Sequence, residues 1–122
     1  MNARGSNTND ASLQKAVEAY NEGDFATALS GLSVEDAPDQ KKSQVALARA
    51  ISLHETGENE QAIALLNELA MNDEIMESTA NWYIAMIQLE SEKIDEAKES
   101  FTRIQSESSY YAKANEILKK LQ

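Results

Sequence analysis

Cysteine is absent from the chain, which excludes a disulfide framework and a thiolate metal site and leaves cytoplasm and periplasm equally open as compartments. Proline occurs once and glycine four times, while alanine, leucine, glutamate and lysine fill the body. Intrinsic propensity therefore favours helix over sheet. No apolar run approaches the roughly 20 residues of a spanning helix, and the N-terminus lacks the charged-then-apolar pattern of a signal peptide. The chain reads as soluble, with no membrane insertion of its own. Positive charge is scarce: 11 Lys and Arg stand against 21 Asp and Glu, for a net charge of −10. Such a field repels phosphate backbones and anionic headgroups, so nucleic acid and bare membrane are poor partners.

The residue patterns of known chemistries are missing as well. His54 is the only histidine, and an H-E-x-x-H zinc site cannot be completed because position 58 is Glu. There is no Cys nucleophile, no G-x-S-x-G elbow, no Walker lysine loop and no G-x-G-x-x-G. Carboxylate pairs such as Glu58 with Glu60 and Glu96 with Glu99 fall on outer helical faces and read as solvated charge. The expectation is a non-enzymatic protein without metal or cofactor.

What is present is one domain's worth of helix. At 122 residues, with 42% apolar and 26% charged side chains, the chain is long enough for one core and too short for two comfortable ones. Residues 1–10 (MNARGSNTND) are polar and without periodicity, and read as a disordered leader or expression remnant. Residues 11–122 form the domain.

An internal period runs through that domain. Gly23 and Gly57 lie 34 positions apart, and the same offset carries Ala16 to Ala50, Ala28 to Ala62 and Leu32 to Leu66. A third copy at offset 35 gives Ala85, Ala97 and Phe101, with Glu92 where the glycine stood. Apolar residues at i, i+3, i+4 and i+7 predict helices near 11–22, 25–33, 40–56, 59–70, 75–91, 94–105 and 109–121. Gly23 and Gly57 can end helices in the left-handed region, and Pro38 disfavours helix at the residue before it. Asp39, then Asn72 or Asp73, then Ser108 or Ser109 are the cap candidates. Small residues are required where paired helices cross closely, and one pair cannot bury its own apolar face whereas three stacked pairs can.

This spacing resembles the tetratricopeptide repeat, a 34-residue helix–turn–helix unit. Gly23-Asp24-Phe25 looks like its turn. Ala16, Ala50 and Ala85 look like the small residue of the first helix, and Ala28, Ala62 and Ala97 like that of the second, with Leu32, Leu66 and Phe101 at its large position. Trp82 and Tyr83 sit beside the family's aromatic position, and the closing proline is missing from all three copies. The resemblance implies an all-α, right-handed superhelical α-α solenoid with repeats at about 11–38, 39–72 and 73–107 and a capping helix at about 108–121. The segment from Asn81 to Phe101, followed by Tyr110 to Leu121, also looks like bacterial members whose repeats follow a single membrane anchor.

In that family the first helices line a groove that holds a partner. Leu13, Val17 and Tyr20 then align with Leu47, Ile51 and His54, and with Trp82, Met86 and Leu89. A chaperone-tail carboxylate clamp is absent, because apolar side chains stand where such members carry basic and asparagine residues. The expected function is a scaffold that binds a protein or peptide through an apolar face, with Trp82 and Tyr83 as anchors and Met86 as an adaptable contact. Two alternatives stand beside it: these side chains form core covered by the terminal helix, or the apolar face makes a self-associating homo-oligomer. Lys41, Lys42, Lys119 and Lys120 read as solubility and helix-dipole residues, and Arg49 and Arg103 as side chains with buried stems and wet heads.

Overall fold

The computed structural model describes residues 2–122, with side chains from residue 11 onward. Seven α-helices form among the described residues: α1 (Asn2–Asn21), α2 (Phe25–Leu29), α3 (Lys42–Glu55), α4 (Asn59–Asn72), α5 (Glu77–Glu90), α6 (Ile94–Thr102) and α7 (Tyr111–Leu121). A 3₁₀ turn at Asp39–Lys41 leads into α3, and no strand occurs among these residues. The protein is all-helical. Helix α1 starts at Asn2 rather than near residue 11; the disordered leader expected over residues 1–10 concerns side chains that lie outside the described residues.

Three helix ends share one hydrogen-bond pattern, and it falls where the glycine register placed it. Gly23 donates to the Tyr20 carbonyl and Asp24 to the Ala19 carbonyl at 2.8 Å. Gly57 and Glu58 do the same to His54 and Leu53, and Glu92 and Lys93 to Leu89 and Gln88. These are Schellman closures, in which the residue past the helix must take positive φ. Gly23 has φ 83°, Gly57 φ 91°, and Glu92 adopts φ 63° although it carries a Cβ. After each closure a new helix begins at once, with Ala28, Ala62 and Ala97 donating to Asp24, Glu58 and Lys93.

The chain divides into two compact units, Met1–Ala62 and Ile63–Gln122, with the boundary inside α4. In the first unit α1 packs against α2, and α2 against α3. Ala16, Ala19, Ala28, Leu32, Ala37 and Val45 form its buried cluster. The approach of α2's end to α1 is close: a Cβ at Gly31 would stand 2.8 Å from the Ser12 carbonyl oxygen and 2.9 Å from Ala16 Cβ. Helix α2 ends at Leu29, earlier than periodicity indicated, although Leu32 still donates to Ala28 and is fully buried. The chain past α2 is held by cations. Arg49 donates to the carbonyls of Leu29 and Leu32 at 3.1 and 3.2 Å, and Lys42 to those of Val34 and Glu35 at 3.0 Å each. Arg49 thereby satisfies carbonyls at and just past the α2 C-terminus, where positive charge is favourable, and Lys42 ties down the turn that follows.

In the second unit α5 packs on α6, and α6 on α7. Ala85, Ala97, Phe101, Ile104 and Ala114 are its buried cluster, with Trp82, Met86, Leu89, Tyr110 and Ile117 packed around them. Ser100 donates to Gln88 Oε1 at 2.6 Å, and Ser78 Oγ accepts the Gln105 amide at 3.1 Å, which ties the connection after α6 to α5.

All nine register positions of small and large residues, Ala16, Ala50, Ala85, Ala28, Ala62, Ala97, Leu32, Leu66 and Phe101, are buried to 2% exposure or less. The caps fall differently from expectation. Asp24 does cap α2, its carboxylate accepting Thr27 N–H at 3.3 Å, but the residues at the cap positions of α3, α5 and α7, Lys41, Met76 and Tyr110, make no side-chain cap bond. Asp73 accepts from Ile75 and Met76, and Ser108 from Tyr110, so each closes the turn ahead of its helix. Asp39 lies inside the 3₁₀ turn.

Candidate functional site

The first unit carries a groove of about 740 Å³. One wall is α1, whose Leu13, Val17 and Tyr20 project at i, i+4 and i+7 and so share a face. The opposite wall is the start of α3, contributing Gln44, Val45 and Ala48, with Gln40 and Lys41 from the 3₁₀ turn and Leu32 at the floor. Val17 is 41% exposed despite its apolar side chain. Gln14, Asn21 and Pro38 complete the lining, in which Lys41 is the only charged residue.

Tyr20 marks one end of this groove. Its ring meets Phe25 edge-on at 5.7 Å, and desolvation, with a smaller push from the Glu55 carboxylate, raises its hydroxyl pKa above the ordinary 10.0. The groove thus combines apolar side chains with the amides of Gln14, Asn21, Gln40 and Gln44. Among the described residues no group of three or more His, Asp or Glu side chains is placed to hold a metal, no buried side-chain polar atom lacks a partner, and no helix is long and apolar enough to cross a membrane.

The ten residues singled out in the sequence separate into groups. Leu13, Val17 and Tyr20 come together in the groove. Leu47 and Ile51 are half-buried on α3 and do not line it. His54 is half-buried, its Nδ1 2.7 Å from Asn59 Oδ1 across the Gly57 turn, an arrangement that fixes the turn. Trp82, Met86 and Leu89 pack against the buried cluster of the second unit. Trp82 stacks on Tyr110 at 5.1 Å and meets Phe101 edge-on at 5.7 Å. Tyr83 is half-buried on α5 and takes part in neither ring pair. The rings against Trp82 are Phe101 of α6 and Tyr110, the residue just ahead of α7.

The two buried clusters are built on one register. Ala16 and Ala85, Ala28 and Ala97, Leu32 and Phe101, and Val45 and Ala114 are each 69 positions apart, and every one lies in its cluster. The half-buried fringes match too: Leu13 with Trp82, Tyr20 with Leu89, and Ala48 with Ile117. The α3 side of the groove went unread because the 34-residue offset from Leu13 and Val17 points to Leu47 and Ile51, whereas Val45 and Ala48 face the groove. The signal that finds them is the spacing of Val45 and Ala48 from Ala114 and Ile117. Lys41 and Lys42, taken for solubility residues, are a groove residue and a loop anchor respectively.

One further exposed feature lies outside the residues named from sequence. Met71 and Ile75 are 84% and 91% exposed, on either side of Asp73 and Glu74. Comparison with family models, with curated proteins and with solved structures finds no match to this chain.

Proposed function

We propose that the chain is a tetratricopeptide-type helical repeat domain, three helix pairs and a capping helix stacked as a solenoid, that binds a partner protein or peptide and carries no catalysis of its own. The repeat reading is supported by the three Schellman turns in register and by the paired clusters at matched spacing. The single observation that carries the binding reading is the groove between α1 and α3, where Val17 remains 41% exposed on an apolar wall. A single exposed valine would mean little; it is its place in an apolar-walled groove, a common seat for a bound peptide, that gives it weight. The docking residues are Leu13, Val17, Tyr20, Val45 and Ala48, with Trp82, Met86 and Leu89 serving packing instead.

The test is capture from a lysate of the source organism on immobilised protein, comparing the wild-type chain with Val17→Asp and Ala48→Glu. Both variants keep the helical circular dichroism and lose the captured partner. Capture that survives both changes with the fold intact would move the binding surface elsewhere.

A second reading, self-association, is favoured by the exposure of Met71 and Ile75. Light scattering decides it: a mass of one chain at all concentrations removes it, and a dimer that dissociates on Met71→Ser with Ile75→Ser supports it.

A further inference from the structure

We propose that the groove between α1 and α3 accepts an aromatic side chain, tryptophan or tyrosine, from a partner peptide that carries a carboxylate beside it. This deepens the docking reading above and rests on it, since a preference among ligands presupposes that a ligand binds there.

The argument starts from the register. Positions that line the groove in the first unit have counterparts 69 residues later, and there the side chains are larger and the cluster is closed. Trp82 stands for Leu13, Met86 for Val17, Tyr110 for Lys41 and Ile117 for Ala48. In the second unit Trp82 and Tyr110 stack at 5.1 Å, with Phe101 edge-on to Trp82 at 5.7 Å and Ile117 packed alongside. The same register in the first unit holds an aliphatic, a lysine and an alanine. Interiors fill to crystal-like density, and a wall without neighbours forfeits its dispersion contacts. At the places of Trp82 and Tyr110 the first unit has no ring, and its own ring pair, Tyr20 with Phe25, stands instead where the second has Leu89 and Ile94.

A ring supplied from outside restores that missing volume. Tyr20, already edge-on to Phe25 at 5.7 Å, offers an aromatic wall in the orientation that ring pairs favour. An aliphatic side chain has less area to bury there and no ring face to present.

Charge fixes the second half of the ligand. The chain carries −10 overall, yet the one charged side chain in the groove lining is the cation Lys41. It occupies the register place of Tyr110, at the position where the closed cluster presents its ring. A carboxylate adjacent to the incoming aromatic meets Lys41 at the groove mouth, where complementarity sets orientation and on-rate.

The experiment uses the full chain and labelled short peptides, read by fluorescence anisotropy up to about 1 mM, a concentration that reaches the weakest specific binding of interest. The parent peptide carries Trp next to Asp; three controls replace Trp by Leu, Trp by Ala, or Asp by Asn. The Trp–Asp peptide binds, Leu and Ala in place of Trp weaken it roughly thirtyfold, the scale of an interface hot spot, and raised salt weakens the Asp peptide but not the Asn one. Lys41→Glu removes the advantage of Asp over Asn. Val17→Met with Ala48→Ile, which imports the side chains of the closed cluster, abolishes binding without lowering the thermal midpoint.

Each other outcome is decisive. Equal binding of the Trp and Leu peptides, lost in Val17→Asp, overturns the aromatic preference and leaves docking at the groove standing. Binding that persists in Val17→Asp overturns both. Silence from all peptides overturns this inference alone, because partner capture tests the docking reading separately. A dimer that dissociates on Val17→Asp makes a second copy the occupant and overturns it as well.

Discussion

Replacing Trp82 by alanine separates a packing role from a partner-binding role, and the structure sets the size of the effect. The ring makes two aromatic contacts, stacked on Tyr110 at 5.1 Å and edge-on to Phe101 at 5.7 Å. Each such pair contributes about 0.5–1.5 kcal/mol beyond area burial. Full removal of a buried Trp costs about 3–5 kcal/mol, but this side chain is only half-buried, so roughly half of the burial term applies. With the two ring pairs added, the expected loss is about 2.5–5.5 kcal/mol. Because Trp82 is the only tryptophan, its fluorescence disappears with the substitution, and urea unfolding must be followed by far-ultraviolet circular dichroism. A cycle with Tyr110→Ala isolates the stacked pair, with an expected coupling of about 0.5–1.5 kcal/mol. A loss below about 0.5 kcal/mol together with no coupling would show that the ring does not pack against α7's start, and the assignment of Trp82 to the closed cluster would be wrong.

Ala28→Leu and Ala97→Leu each destabilise by about 1–3 kcal/mol in urea unfolding, because both alanines are fully buried and an isopropyl group added on Cβ overpacks the site. Gly31→Ala costs a similar amount, about 1–3 kcal/mol, since the new Cβ meets the Ser12 backbone at 2.8 Å; an unchanged midpoint would mean that α1 and α2 separate freely. Glu92→Gly raises stability by about 0.5–1 kcal/mol, as the left-handed cost of a residue at φ 63° exceeds the extra chain entropy of glycine. The pKa of Tyr20 is raised by desolvation and then by Glu55, so the folded state holds this proton more tightly than the unfolded one. Its contribution is complete below the unfolded value of 10.0 and is lost as pH climbs through the folded value. A stability profile into that alkaline range falls for the wild type and loses part of that fall in Tyr20→Phe; identical profiles would remove Tyr20 as the cause.

Much of the helical layout was legible because it is written in backbone requirements. Gly23 and Gly57 announce positive φ, and Glu92, an unpromising residue for that conformation, could be assigned to it only by counting from the glycines. The alanines were legible for a related reason: a close crossing tolerates few side chains, so Ala28, Ala62 and Ala97 stand out when they recur. Helix starts were less readable. Asp73 and Ser108 do bond ahead of α5 and α7, but a side chain that closes the preceding turn looks, in sequence, the same as one that caps the helix. Half of the groove was readable as well. Periodicity shows that Leu13, Val17 and Tyr20 share an apolar face, yet it carries no information on which neighbour covers that face. The α3 wall of Val45 and Ala48 and the cation at Lys41 come from a later stretch of chain, as does Tyr110, the ring stacked on Trp82.

That a single register yields one closed cluster and one open groove bears on how stability and binding can be divided. The buried members matched in register, Ala16, Ala28, Leu32 and Val45 in one and Ala85, Ala97, Phe101 and Ala114 in the other, are all at most 5% exposed, so each cluster is complete at its centre whatever stands on its fringe. Leu13, Val17 and Ala48 lie outside that centre. Their counterparts Trp82, Met86 and Ile117 add packing at the fringe, and the smaller residues omit it. Substitution at Val17 or Ala48 therefore changes what the groove can hold while leaving the helix crossings untouched, whereas substitution at Ala28 acts on the crossing itself. Effects on binding and on folding should be nearly independent for the first group and inseparable for the second, because only the second lies where two backbones approach closely.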